Sequence, residues 1–189
     1  MVFKLFWINH FMYRPLVLLL LAIVGCSGVV KPGSTPDFFP KVQGQALSGA
    51  ELKIPEDLQG NCAVLLIGYK QKTQFDIDRW ILGLLQLKTP IELLELPTIA
   101  GMMPEMVSEF ISNGMRSGIP QEDWGTVVTV FEDAEKIIAA LGNERPQSAY
   151  VVLINGDGGI LWFYNQGYSA QQVIKLDKLV KEQCLKGPE

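Results

Sequence analysis

Three cysteines, one histidine and six methionines are the residues of this 189-residue chain with the widest chemical reach. Cys26, Cys62 and Cys184 offer thiols for nucleophilic attack, metal binding or disulfide exchange. Their spacing argues against most of this. No two form a Cys-x-x-Cys pair, so the chain holds neither a dithiol redox motif nor a zinc ribbon. The histidine, His10, lies upstream of a strongly apolar run near the N-terminus. Everything after that run lacks the commonest general base and metal ligand, and every Ser–His or Cys–His pair with it. This weighs against conventional hydrolase or metalloenzyme chemistry.

Met102, Met103, Met106 and Met115 gather in one stretch, and soft thioethers can bind Cu(I). No cysteine or histidine accompanies them, so Met102, Met106 and Met103 read first as core and rim packing, with copper handling a third reading behind the two given below. Asp157 lies among glycines that a tight turn explains. Asp76 and Asp78 are too close in sequence for an acid/base pair and read as charge at a helix N-terminus. Trp80, Trp124 and Trp162 read as packing residues. No metal and no cofactor is implied. The formal net charge is −4, with basic residues scattered, so the positive footprint that nucleic-acid binding needs is missing.

The elements that must position these residues follow from hydrophobic period and turn chemistry. Asp37 to Gly49 and Leu52 to Leu58 read as extended, with Pro55 on an edge. Cys62 to Tyr69 is a continuous apolar run, the mark of a strand buried on both faces. Gln74 to Leu87 is helical, with Phe75, Ile77, Ile81, Leu82, Leu84 and Leu85 on a broad stripe. Pro90 to Leu96 is a second strand, which implies a parallel right-handed crossover. A helix follows from Met102 to Ser117, opening at Pro104. Thr126 to Phe131 is extended, and Asp133 to Leu141 is a short helix closed by Gly142. Ala149 to Ile154 and Ile160 to Tyr164 form a hairpin across Asn155 to Gly159. Ser169 caps a last helix with apolar Val173, Ile174, Leu176, Leu179, Val180 and Cys184. The order β-α-β, helical insert, β-hairpin, α predicts an α/β, thioredoxin-like three-layer sandwich with a mixed central sheet.

The N-terminus carries a different kind of signal. Leu16 to Val24 is uninterrupted apolar and ends in Gly25, Cys26 and Ser27. It resembles the end of a bacterial lipoprotein signal peptide, whose h-region is shorter than a bilayer span. Met12 could serve as the start, since Met12 to Pro15 already forms an n-region. The resemblance implies a signal over 1–25 and Cys26 as a lipidated mature N-terminus. Ser27, where Asp would retain a lipoprotein in the inner membrane, implies the outer membrane and a periplasmic domain. Removing Lys4 and Arg14 with the signal takes the net charge to about −6 by formal counting. Residues 26–37 then read as a flexible tether and 38–186 as the folded domain.

Two further resemblances concern that domain. Phe39 to Gly49 (Phe-Pro-Lys-Val-Gln-Gly-Gln-Ala-Leu-Ser-Gly), followed by Leu58-Gln-Gly60 and the apolar strand, resembles the opening of peroxiredoxin-like thioredoxin-fold proteins. Gly114 to Pro120, Tyr150 to Trp162 and Gly167-Tyr-Ser resemble the thioredoxin-like mitochondrial ATP synthase assembly factors. Redox members of the fold carry their reactive cysteine just after the first central strand, where a helix N-terminus lowers its pKa. Here that corner reads Tyr69, Lys70, Gln71, Lys72, Thr73, Gln74, with no cysteine. Thr73 matches the threonine that precedes a peroxidatic cysteine, but nothing follows it. Pro146 stands near the place of the proline before the hairpin strand. The fold also implies that Cys62 and Cys184 lie at the sheet end opposite this corner, close enough for a disulfide. The chain thus reads as a membrane-anchored, redox-inactive binding or assembly module. Its partners would be the bilayer, through acylated Cys26, and an envelope protein met at Tyr69 to Gln74. The alternative is a one-cysteine thiol oxidoreductase or peroxidase using Cys62 or Cys184.

Overall fold

The computed structural model describes residues 35–58, 60–101 and 105–185. The signal, Cys26 and most of the tether lie outside these residues, as do Met102 and Met103. The elements run β1 (Val42–Ala46), β2 (Glu51–Ile54), β3 (Gly60–Gly68), α1 (Gln74–Gln86), β4 (Glu92–Pro97), α2 (Glu105–Gly118), β5 (Val128–Thr129), α3 (Ala134–Leu141), β6 (Tyr150–Gly156), β7 (Ile160–Tyr164) and α4 (Ala170–Gln183). Single 3-10 turns precede β3, α1 and β5.

The central sheet has the order β4-β3-β6-β7. β3 pairs parallel with β4, Ala63 opposite Glu92 through Gly68 opposite Pro97. β6 runs antiparallel to both β3 and β7. The sheet is therefore mixed, as the β-α-β and hairpin readings require. A second sheet, β2-β1-β5, meets the first through single parallel bridges from Glu95 to Val127 and from Thr98 to Val130. The run over Thr126 to Phe131 shortens to two strand residues because only Val128 and Thr129 pair with β1, while the flanking Val127 and Val130 make single bridges to the other side.

The two faces of β3 and β6 explain why those segments are apolar without alternation. Leu65, Ile67, Val152 and Ile154 face one core with β1, Ile54, Ile137 and Leu141 of α3. Val64, Leu66, Val151 and Leu153 face the other, against Ile77, Trp80 and Leu84 of α1 and Val173, Leu176 and Val180 of α4. Burying each such side chain contributes roughly 1.5–3 kcal/mol before the entropy cost. Two glycines are required by close approach. A Cβ on Gly44 would stand 2.7 Å from a Val128 methyl, and one on Gly156 would collide with the Gly60 carbonyl.

The helix stripes are narrower than the sequence suggests. α1 buries Ile77, Trp80 and Leu84 but leaves Phe75, Leu82 and Leu85 exposed; α4 leaves Ile174 exposed. A helix lying on a sheet buries only the stripe that faces it, and side chains beyond about a third of the circumference reach solvent. Trp80 is a packing residue, as the sequence suggests, and the centre of the stripe: it is fully buried and donates Nε1–H to the Gly167 carbonyl at 3.1 Å.

Candidate functional site

β3 and β4 end at the same level, at Gly68 and Pro97, and the chain turns there into α1. This corner is where the sequence places Tyr69 to Gln74. The segment divides into two kinds of residue. Lys70, Gln71, Lys72 and Gln74 are exposed. Tyr69 and Thr73 are not: they are 8% and 1% exposed and belong to the structure of the corner rather than to its surface. Of the stretch expected to be a contact loop, only those four side chains reach the surface. Tyr69 turns inward because it continues the alternation of β3, joining the core face of Leu65 and Ile67.

The buried residues tie the corner to its neighbours. The Thr73 hydroxyl donates to the Pro146 carbonyl at 3.4 Å and accepts from the Lys70 N–H at 3.4 Å. Pro146 thus borders the corner through its carbonyl, in the loop before β6. The Tyr69 ring packs edge-on against Tyr150, centroids 5.1 Å apart. Tyr150 Oη accepts from the Arg145 N–H at 3.2 Å and donates to Glu144 at 3.4 Å. The Tyr69 hydroxyl is buried with no hydrogen-bond partner among the described residues. Burial, with Tyr150 and Glu144 nearby, holds its pKa far above the ordinary tyrosine value. It stays neutral and is no general base.

Sequence reasoning missed Glu95. It sits on β4 at 8% exposure, beside the corner, and accepts from Gln74 Nε2 at 3.3 Å. Burial raises its pKa, the Gln74 bond opposes this, and Asp78 adds to the rise. The signal was available: Glu95 interrupts an apolar strand run, and a lone acid there is a buried acid or an edge. Asp76 and Asp78 hold more than helix-terminal charge. Asp76 accepts from the Ala149 N–H at 3.4 Å, and Asp78 from Gln74 Nε2 at 2.9 Å.

At the opposite end, the start of β3 and the end of α4 meet. Cys62 and Cys184 are joined in a disulfide with Cα atoms 5.8 Å apart. Both sulfurs are consumed there, far from Tyr69 to Gln74 along β3. Earlier on α4, Asp177 accepts from Thr89 Oγ1 at 2.8 Å and pairs with Lys181 at 2.8 Å. Of the methionines, Met115 is half-buried but Met106 is 81% exposed, so its reading as packing is corrected. It lies on the outer side of α2, whose held side carries Ser112 and Arg116 instead. Among the described residues no three His, Cys, Asp or Glu side chains converge.

No family model matches this chain, and no curated protein matches it in sequence. Its fold is shared with many solved structures. The exposed lipoprotein thioredoxin of Streptococcus pneumoniae superposes with a TM-score of 0.50 at 11% identity, over 74% of this chain and 98% of that one. A thiol peroxidase from Chromobacterium violaceum gives 0.50 at 10% identity, over 79% and 87%. Yeast Sco1 gives 0.50 at 14% identity, over 82% and 100%. The domain is thioredoxin-like in fold, as the order of elements predicts; at such identities the likeness extends to the fold alone.

Proposed function

We propose that this protein is a redox-inactive thioredoxin-like lipoprotein, anchored through Cys26 and acting as a binding or assembly module in the cell envelope. The observation that carries the reading is the distribution of sulfur. The corner that holds the cysteine in redox members of the fold here presents Lys70, Gln71, Lys72 and Gln74 around a buried Thr73. The domain's two cysteines are bonded to each other at the far end. A bonded, half-buried cystine supplies no thiolate, so peroxide reduction or single-thiol exchange would first require its reduction. The resemblance to ATP synthase assembly factors supports an assembly role only by analogy of fold.

The test has two parts. Protein extracted from its native membranes should give an intact mass for lipidated Cys26, with two alkylatable thiols only after reduction. The full chain should neither accelerate insulin reduction by dithiothreitol nor consume hydrogen peroxide. Turnover that disappears on Cys62→Ser or Cys184→Ser would restore the one-cysteine enzyme. For the binding role, replacing Lys70, Gln71 and Lys72, and sparing Tyr69, Thr73 and Gln74, whose amide holds Glu95, should remove partner association without changing the melting temperature.

A further inference from the structure

The central sheet has two edges, covered to different extents. β4 meets the second sheet across the bridges from Glu95 to Val127 and from Thr98 to Val130. β7, on the other side, is Ile-Leu-Trp-Phe-Tyr, with neither charge nor proline, the kind of edge that recruits another strand. Its near end is already taken. Phe38 is bridged antiparallel to Gly159, Phe39 N–H donates to the Gly158 carbonyl, and Ile160 N–H donates to the Asp37 carbonyl. Among the described residues, no backbone group is bonded to the outer edge of β7 beyond that point.

The direction of that pairing fixes where the preceding residues head. β7 runs parallel to β3, since each is antiparallel to β6. Gly159 therefore stands at the disulfide end, and Tyr164, level with Leu66 through Val151, at the corner end. Followed backwards from Phe38, antiparallel to β7, the chain runs toward the corner. It stays beside the strand: Thr35, Pro36 and Asp37, with Ile160 to Phe163, line a cleft of about 320 Å³. The alternation of backbone groups fits as well. The bonds to the hairpin use Asp37 and Phe39, so odd-numbered residues turn their N–H and C=O toward β7 and even-numbered ones turn theirs away. Pro36 falls on the outward side, where a missing N–H costs no ladder bond, while Gly33 and Thr35 keep a donor for β7.

From this we infer that the segment ahead of Asp37 is a strap for the open edge: residues 33–36 pair antiparallel with β7 and close the cleft. The occupant is this chain, not a second copy or a partner's strand, because the segment is already joined to the edge at Asp37 and a tethered strand meets it at high effective concentration. β7 ends at Tyr164, so residues 33–36 suffice to cover it. What the strap does for the domain's stance rests on the reading of Cys26 as the anchor. With the strap closed, the tether leaves the domain at the corner end and residues 26–32 span roughly 24 Å when extended; with it open, residues 26–36 span roughly 37 Å. Closure sets the corner on the membrane side of the domain, and opening lets it turn away.

The experiment reads backbone hydrogen exchange by NMR in the detergent-solubilised full chain, purified with no partner present. Outward-facing amides of Leu161 to Tyr164 should be protected. Gly33→Pro with Thr35→Pro, which removes two N–H groups facing β7, should speed their exchange by about tenfold or more. Ser34→Pro, on the outward side, should leave it unchanged, and exchange in β3 should be the same in all three proteins. Unprotected outward amides in the parent, or equal effects of the two sets of prolines, would overturn the strap. So would a parent that is a dimer and loses the protection on dilution to monomer, since that gives the edge to a second copy. The two levels separate. An intact mass without lipid on Cys26 removes the anchor and the stance while the difference between the prolines stands. Loss of that difference removes the strap while a lipidated Cys26 stands.

Discussion

The two ends of the central sheet are held together by bonds of different quality. Towards the disulfide end, α4 is held by the Cys62–Cys184 bond and, earlier on the helix, by short contacts at Asp177, 2.8 Å to Thr89 and 2.8 Å to Lys181. At the corner end, most of the hydrogen bonds that involve a side chain are long, Gln74 to Asp78 at 2.9 Å being an exception. Lys70 to Thr73, Thr73 to Pro146 and Ala149 to Asp76 span 3.4 Å, Gln74 to Glu95 spans 3.3 Å, and the Tyr69 hydroxyl has no partner among the described residues. Hydrogen bonds beyond about 3.2 Å are weak. The covalent end is tied by a bond, while the corner is held by longer hydrogen bonds. Segments that bind are commonly drawn from the less stable parts of a fold.

The comparison can be broken most decisively by removing the disulfide. Cys62→Ser with Cys184→Ser opens a link across 122 residues of sequence. Chain entropy sets the expected loss at about 4 kcal/mol, a fall in melting temperature of roughly 10 °C by calorimetry. A fall of only a degree or two would mean that the disulfide end is no firmer than the corner. Next in size is Asp177→Ala, which leaves the Thr89 hydroxyl and the Lys181 ammonium without their acceptor. Urea denaturation should register about 1–3 kcal/mol. Thr73→Val removes two long bonds at the corner, and should cost about 0.5–1 kcal/mol by the same measurement. If it costs more than Asp177→Ala, the ranking of the two ends is reversed.

The smallest effect is one of sign. Because burial raises the Glu95 pKa, the folded state binds its proton more tightly than the unfolded state does. Stability from this group is present at low pH and is lost as pH rises from the ordinary glutamate range through the raised value. Glu95→Gln should therefore be more stable than the parent at pH 8, with the gain shrinking towards pH 4, read from paired melting curves. A gain that does not vary with pH would show that Glu95 ionises normally and that the corner is wetter than its geometry indicates.

The parts of the fold legible in the sequence were those set by local chemistry. Asn155 Oδ1 accepts from the N–H groups of Asp157 and Gly159, the turn that an Asn-Gly, Asp-Gly pair predicts. Ser169 Oγ caps α4 through the Gln172 N–H. The continuous run of β3 reads as a doubly covered strand because both of its faces meet cores. What stayed illegible depends on which way a side chain turns once the chain is folded. Tyr69 and Thr73 look polar and loop-like beside Lys70 and Lys72, yet both are buried, because the β3 alternation and the approach of Pro146 decide their direction. Met106 reads as packing, yet it is exposed, and α2 is held through buried Ser112 and through Arg116 instead. Periodicity reports that a helix has an apolar face, and not whether the domain offers anything to cover it.

The way the chain enters the domain has a mechanical meaning. Asp37 to Phe39 joins the β6–β7 hairpin at its turn, where Ile160 N–H donates to the Asp37 carbonyl at 2.8 Å and Phe39 N–H donates to that of Gly158 at 2.9 Å. A pull applied from the N-terminal side meets these two bonds first and reaches β1 only after they part. The disulfide lies outside that first line of resistance. Tension would thus peel the leading segment from β7 in small steps while the core between α4 and β3 stays locked, so that this stretch works as a release rather than as a rivet.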